Sequence, residues 1–265
     1  MLSPGSLLNF DWFRTEEGRE ILGCLLYRNG QKRRTFGLLE RPTFPPSLTP
    51  EDVKYKIFVV GKSGVGKTST VAKLSGNEIP AVHSETPGIQ TSTMFWPAKI
   101  SQLNKIVLFE IKLWDAGENA LRKFDHIQAA CTNKVDAILF LFSFVDKSSF
   151  EEIPQLMTRL TNPDDGICKL VIGTKFDQHA HSEITQRDIR DFENNWKIPI
   201  LKIRNVSDYH PTGSRNELSE IIPLMNIICE HLWHRDVKTA TRTSSDSQIR
   251  STDTRTSSDS QIAFY

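Results

Sequence analysis

The chain lacks an excess of charge of either sign. Its 33 Lys and Arg stand against 32 Asp and Glu, a formal net charge of +1, so no basic footprint for nucleic acid is present. It lacks paired cysteines. The four, Cys24, Cys131, Cys168 and Cys229, are scattered and form no C-x-x-C. That implies neither a zinc site nor a disulfide framework and fits a reducing, intracellular compartment. No apolar run approaches membrane-spanning length. The start, Met1-Leu2-Ser3-Pro4-Gly5, carries no secretory h-region and no Met-Gly myristoylation signal. The end, Gln261-Ile262-Ala263-Phe264-Tyr265, has no cysteine to prenylate. Contact with membranes is therefore expected only indirectly. The 265 residues suffice for one sizeable core with appendages.

What is present begins with Gly61-Lys62-Ser63-Gly64-Val65-Gly66-Lys67-Thr68, directly behind the apolar run Tyr55–Val60. It matches G-x-x-x-x-G-K-[ST] in full, and a strand feeding this turn into a helix is the context the pattern needs. Backbone N–H groups from Ser63 to Ser69 would converge on a phosphate, with the positive end of a helix behind them. Lys67 would reach the β/γ-phosphates, and the Thr68 hydroxyl would ligate Mg²⁺. The bland alternative is a Gly/Lys-rich surface turn.

Three segments follow along the chain. Residues 1–53 form an N-terminal extension with a short helix, capped by Thr15 and apolar at Ile21, Leu22, Leu25 and Leu26. A Pro-rich connector, Arg41–Pro46, closes it. The helix's apolar face is expected either on this chain's own domain or on a partner. Residues 54–234 alternate strand and helix, which predicts an α/β fold with a mostly parallel sheet. Six strands are expected, over 56–60, 94–100, 106–114, 136–145, 169–174 and 199–203. Helices are expected over 67–74, 148–160, 185–196 and 216–233, the last kinked or divided at Pro223. From 235 to 265 the composition is Ser, Thr, Asp, Arg and Gln, with the nonapeptide TRTSSDSQI at 241–249 repeated at 254–262. That tail has too little apolar surface to fold alone and is expected to be disordered.

A second signal chooses the base. Gly173-Thr174-Lys175-Phe176-Asp177 follows a predicted strand and resembles the N/T-K-x-D motif of small GTPases. The Asp177 carboxylate could accept two hydrogen bonds from the N1–H and N2–H₂ edge of guanine. Adenine offers no such pair of donors. An ordinary Lys-Asp surface turn is the alternative. Leu113-Trp114-Asp115-Ala116-Gly117-Glu118 resembles the W-D-x-A-G-Q-E segment of Rab-like GTPases. The resemblance implies that Asp115 holds Mg²⁺ through water and that the Gly117 N–H senses a γ-phosphate. Thr86 lies eighteen residues past Thr68, where the family places the mobile threonine that closes on Mg²⁺ in the GTP state. Thr91 and Thr93 compete for that role. His83 is a candidate for ribose or phosphate contact, against the bland reading of a loop residue. The fifth family motif is not clearly written; Arg204-Asn205-Val206-Ser207 occupies its place, with Ser207 as its candidate contact.

The departures matter as much. Only Ala116 separates Asp115 from Gly117, one residue fewer than D-x-x-G-Q requires, and Glu118 then Asn119 stand where the water-orienting glutamine belongs. These two are the only catalytic candidates, and both are degenerate. Tight GTP binding with very slow hydrolysis is the expectation. Phe95-Trp96, Trp114 and Phe124 are candidate partner anchors, with core packing expected sooner for Trp114 than for Trp96.

With Phe36–Pro42, Thr86–Thr91, Phe95–Lys99 and Lys123–His126, the arrangement resembles the Rem/Rab-like small GTPases of the ciliogenesis and planar polarity effector complex. The resemblance covers roughly residues 9–234. It implies the P-loop NTPase fold of small GTPases, GTP/GDP and Mg²⁺ as ligands, and Fuzzy- and Inturned-like partners. It also implies a cytoplasmic site at the ciliary basal body, serving cilium assembly and cargo traffic. Two other readings remain: a constitutively nucleotide-bound scaffold, and an ATP-using P-loop enzyme, which Gly173–Asp177 speaks against.

Overall fold

Strand patterning decides the architecture. In β1 (Glu51–Val60), Tyr55, Ile57 and Val59 enter one apolar layer while Phe58 and Val60 enter the other, the two-residue alternation of a strand buried on both faces. β4 (Ala137–Ser143) is buried at every position. With β2 (Ile89–Ile100), β3 (Lys105–Ala116), β5 (Cys168–Thr174) and β6 (Ile200–Lys202), these make a six-stranded sheet in the order β2-β3-β1-β4-β5-β6. Every pairing is parallel except the β2–β3 hairpin. This computed structural model describes residues 5–26, 41, 42, 44, 46, 48–82, 84–206 and 215–256.

Helices cover both faces, as a parallel sheet requires. On one lie α1 (Glu16–Leu26), α2 (Lys67–Ser75) and α8 (Arg215–Thr256). On the other lie α4 (Asp125–Thr132), α5 (Lys147–Glu151), α6 (Ile153–Leu160) and α7 (Gln186–Trp196). A six-residue α3 (Glu118–Lys123) precedes α4. The six strands and the α/β class are as the sequence predicts. Thr185 caps α7 in a reciprocal box with Asp188.

Several limits differ, each for a physical reason. β1 begins at Glu51, inside the expected N-terminal extension, because its charged first residues sit at the sheet's exposed end while pairing with β3. β2 starts at Ile89 instead of 94, since the hairpin with β3 continues the full length. The helix expected over 148–160 is two, α5 and α6, meeting at Glu152 ahead of Pro154. α3 and α4 were not foreseen; α4 buries only Ile127 and Cys131, too sparse a stripe to read. α8 is not divided at Pro223. Ile221, Leu224, Met225 and Ile228 are buried around the proline, and that burial offsets the missing N–H bond. The helix also runs past 235, through the first nonapeptide and into the second. Thr239 and Thr241 hydroxyls donate to the carbonyls of Arg235 and Val237. Adding turns to a packed helix avoids the cost of nucleation. Residues 257–265 of the tail lie outside the described residues. Among the described residues no helix is long and apolar enough to cross a membrane.

The N-terminal segment docks on its own domain. Leu8 bridges Ile100 at the end of edge strand β2, with Asn9 N donating to Lys99 O and Ser101 N to Leu7 O. Glu230 of α8, 1% exposed, accepts the N–H groups of Gly5, Leu7 and Leu8 at 2.9, 2.8 and 3.3 Å. Trp12 is buried and donates through Nε1 to Glu17, which also pairs with Lys99. The Lys99 ammonium, with the Trp12 N–H, holds the Glu17 carboxyl below its ordinary range. Phe13 stacks at a tilt on Trp96, 5.4 Å between centroids. Trp96 is fully buried and donates to Asn226, whereas Trp114 is only half-buried, with Lys56 over its ring. The expected ranking of these two tryptophans is thus reversed, because the N-terminal segment roofs Trp96. Glu230→Ala should remove the shared acceptor of three N–H groups, that of Leu8 buried and the others partly so, and cost about 2 kcal/mol. Urea unfolding and limited proteolysis before residue 15 check this; an unchanged midpoint with an intact N-terminus would refute it.

Candidate functional site

The phosphate-loop residues lie between β1 and α2, as the motif requires. Gly66, at φ +94°, is the cap residue of α2 in a left-handed conformation that side chains resist. Lys67 folds back over the loop, its ammonium donating to the carbonyls of Gly61 (2.8 Å) and Lys62 (3.0 Å). Burial pulls the Lys67 pKa below its ordinary value; the nearby carboxylates of Asp115, Glu118 and Glu85 act the other way. A cavity of about 350 Å³ opens in front, lined by Ser63, Gly64, Gly66–Ser69, Thr86, Gly117, Glu118 and Lys175 among others. Residues 112 positions apart in the chain, Ser63 and Lys175, thus share one wall system, put there by the ends of β1, β3 and β5.

At one end of that cavity three oxygen donors meet. The Thr68 hydroxyl donates to Asp115 Oδ2 at 2.6 Å and lies 3.1 Å from the Thr86 hydroxyl, which itself reaches Asp115 Oδ2 at 3.2 Å. Asp115 is 1% exposed, and its Oδ1 has no hydrogen-bond partner. A buried carboxylate oxygen left unpaired is costly. Two hydroxyls and one carboxylate, with no cluster of three His, Cys, Asp or Glu among the described residues, suit a hard cation that keeps water and phosphate oxygens as its other ligands. That is the preference of Mg²⁺. The residues present therefore fit this ion. Of the competing threonines, Thr86 is the one brought to Thr68; Thr91 and Thr93 lie within β2.

The segments around Thr86 and Gly117 are joined directly. Gly117 N donates to Gly88 O at 3.2 Å, so the amide expected to sense a phosphate is turned to the neighbouring loop. A Cβ on Gly117 would stand 2.1 Å from the Thr86 carbonyl oxygen. Glu85 accepts from Asn119 twice, from its backbone N–H at 2.8 Å and its amide nitrogen at 2.5 Å. Glu118 accepts the Ser63 N–H at 2.5 Å and pairs with Arg122. Neither Glu118 nor Asn119 points freely into the cavity.

The segment Gly173–Asp177 is tied in through Thr174, whose hydroxyl lies within hydrogen-bond reach of the Val65 (2.5 Å) and Phe142 (3.0 Å) carbonyls. Lys175 lines the phosphate cavity. Asp177 is exposed and lines a second space of about 490 Å³ with Lys73, Phe176 and Arg204, so the structure does not bring it into the first. His83 and Ser207 lie outside the described residues. Asn205, which the sequence placed in the fifth-motif position without a role, donates to Thr70 Oγ1 at 2.8 Å and lies 3.4 Å from Gly66 O. It braces the phosphate loop from below. Glu85, Arg122 and the Lys62–Asp146–Ser148 contact also escaped sequence reading, because each pairs residues distant in sequence or sign-neutral in pattern.

Comparison with known proteins places these features. The Ras family model matches residues 56–209. The chain is 47% identical over 240 residues to Ciliogenesis and planar polarity effector 2 of Xenopus laevis, covering 89% of this chain and 96% of that one. The mouse protein of that name is 47% identical over 237 residues (88% and 91%) and the human protein 45% over 238 (88% and 92%).

Proposed function

Because the chain belongs to the Ras family of small GTPases, and within it to the ciliogenesis and planar polarity effector 2 proteins, we propose that it is a guanine-nucleotide-binding switch with slow intrinsic hydrolysis. The observation that carries this reading is the meeting of Thr68, Thr86 and Asp115 at one end of the phosphate cavity. Thr86 is the buried residue of an otherwise largely exposed loop, and its hydroxyl lies beside a carboxylate with an unpaired oxygen. Ser63–Ser69 would hold the phosphates by main-chain amides and Lys67 by charge. Thr68 and Thr86 would hold Mg²⁺ directly and Asp115 through water. Bound there, the ion neutralises phosphate charge. Thr174 and Lys175 would support the base and Asp177 would read it, with His83 and Ser207 as further candidate contacts.

A switch of this kind acts through the proteins that recognise its ordered loops. Fuzzy- and Inturned-like subunits are the proposed partners, at the basal body of cilia, in cilium assembly and directed traffic. Val82, 77% exposed, lines the cavity, and Phe124, 49% exposed, lies between the helices that follow Gly117; both supply apolar surface for such contacts. A second reading, a scaffold that holds nucleotide without cycling, draws on the Glu85–Asn119 pair, which ties the two loops to each other directly. Exchange and hydrolysis measured with and without cellular partners separate the two.

The nucleotide itself is tested on the purified full chain by extracting its ligand and titrating GDP and ADP in Mg²⁺. GDP should bind at least about a thousandfold more tightly, since a site built for the guanine donor pair is left with unpaired groups by adenine. Equal affinity, or none for either, would remove the proposal.

A further inference from the structure

Glu118 has a task that water positioning does not describe. Glu118 lines the phosphate cavity together with Gly117, Thr68 and Thr86. Gly117, directly before it, carries the amide that the family resemblance assigns to a terminal phosphate. The Glu118 side chain is half-buried, 18% exposed, with one carboxylate oxygen on the Ser63 amide and the other on Arg122, each at 2.5 Å. Ser63 N–H belongs to the set of loop amides that face phosphate. An anionic carboxylate oxygen and an anionic phosphate oxygen are the same kind of acceptor for that donor, and one N–H does not serve both at full strength.

We propose that the Glu118 carboxylate is a built-in competitor for the terminal-phosphate subsite, so that the chain favours a nucleoside diphosphate over the corresponding triphosphate. A diphosphate lacks the group that meets Glu118, and the Ser63 contact persists. A triphosphate brings two like charges together and must displace the carboxylate. Retreat is hindered. Arg122 holds the second oxygen from one turn along α3, Asn119 is fixed to Glu85 by two hydrogen bonds, and Gly117 is fixed to Gly88 by its amide. The Lys67 ammonium, the loop's own cation, already lies in the field of Glu118, Glu85 and Asp115, which leaves less attraction for an added terminal phosphate. In a chain with glutamine here the side chain would be neutral and the penalty absent.

This inference rests on the guanine-nucleotide reading and is tested so that the two fail differently. Full-length protein stripped of nucleotide is titrated in Mg²⁺ with fluorescent GDP and a non-hydrolysable GTP analogue, for the wild type, Glu118→Gln and Glu118→Ala. The wild type should prefer the diphosphate by at least about fivefold. Both variants should shift that ratio toward the triphosphate by about tenfold, through tighter triphosphate binding, because a hydrogen bond between charged and main-chain groups is worth roughly that factor. A wild-type preference for the triphosphate overturns the proposal, and so does an unmoved ratio in variants that still bind GDP. Wild-type protein that binds neither guanine compound overturns the guanine reading and this inference with it.

Discussion

Replacing Asp177 by asparagine lowers the affinity for GDP by about a thousandfold or more. In the proposed site the carboxylate would offer two acceptor oxygens to the two donors on the guanine edge. The asparagine amide turns one of them into a donor, so N–H faces N–H, and the base loses two charge-assisted bonds and gains an unpaired group. Asp177 is exposed in a 3-10 turn, Phe176–His181, and packs no core. The thermal midpoint should therefore stay within a degree or so of wild type, which separates a lost contact from a damaged fold. A purine carrying oxygen in place of the 2-amino group should bind the variant better than GDP does. Titration of GDP and xanthosine diphosphate against both proteins is the measurement. Unchanged GDP affinity would mean that Asp177 is a surface residue with no part in recognition.

Hydrolysis of prebound GTP by the purified chain should run at or below about 10⁻⁵ s⁻¹, at least about thirtyfold slower than the roughly 3–5 × 10⁻⁴ s⁻¹ intrinsic rate of Ras. In Ras a glutamine orients the attacking water. Here the Glu118 carboxylate is engaged by Ser63 and Arg122, and Asn119 by Glu85. Asn119 does not line the phosphate cavity, and the Glu118 charge opposes the charge that develops on the transferred group. Glu118→Gln alone recovers less than about tenfold, because the segment stays one residue short and Asn119 stays tied. Single-turnover release of phosphate from the loaded protein decides the matter; a rate matching Ras in the absence of any partner would contradict the arrangement described.

The residues that the sequence made legible are those whose function depends on local spacing. The phosphate loop could be read because eight consecutive residues, a preceding strand and a following helix suffice to build it. β4 could be read because a strand buried on both faces is apolar throughout. Thr86 was placed by a count of eighteen residues from Thr68, and the two hydroxyls meet at 3.1 Å. α4 was illegible because its buried stripe has two members. The Trp96 and Trp114 assignments were inverted because nothing in the pattern of β2 says that residues 5–14 will lie over it.

By itself the sequence determined the α/β class, the six strands and the loop that faces phosphate, since hydrophobic period, turn glycines and motif spacing act over a few residues and need no distant partner. Only the tertiary structure decided that the N-terminal segment closes on Glu230, that Asn205 braces the loop, that Glu85 holds Asn119 and that Glu118 takes the Ser63 amide. Each of these joins a donor and an acceptor from separate elements, and such a pairing is fixed by how the sheet and its helices pack, not by the order in which the residues are strung.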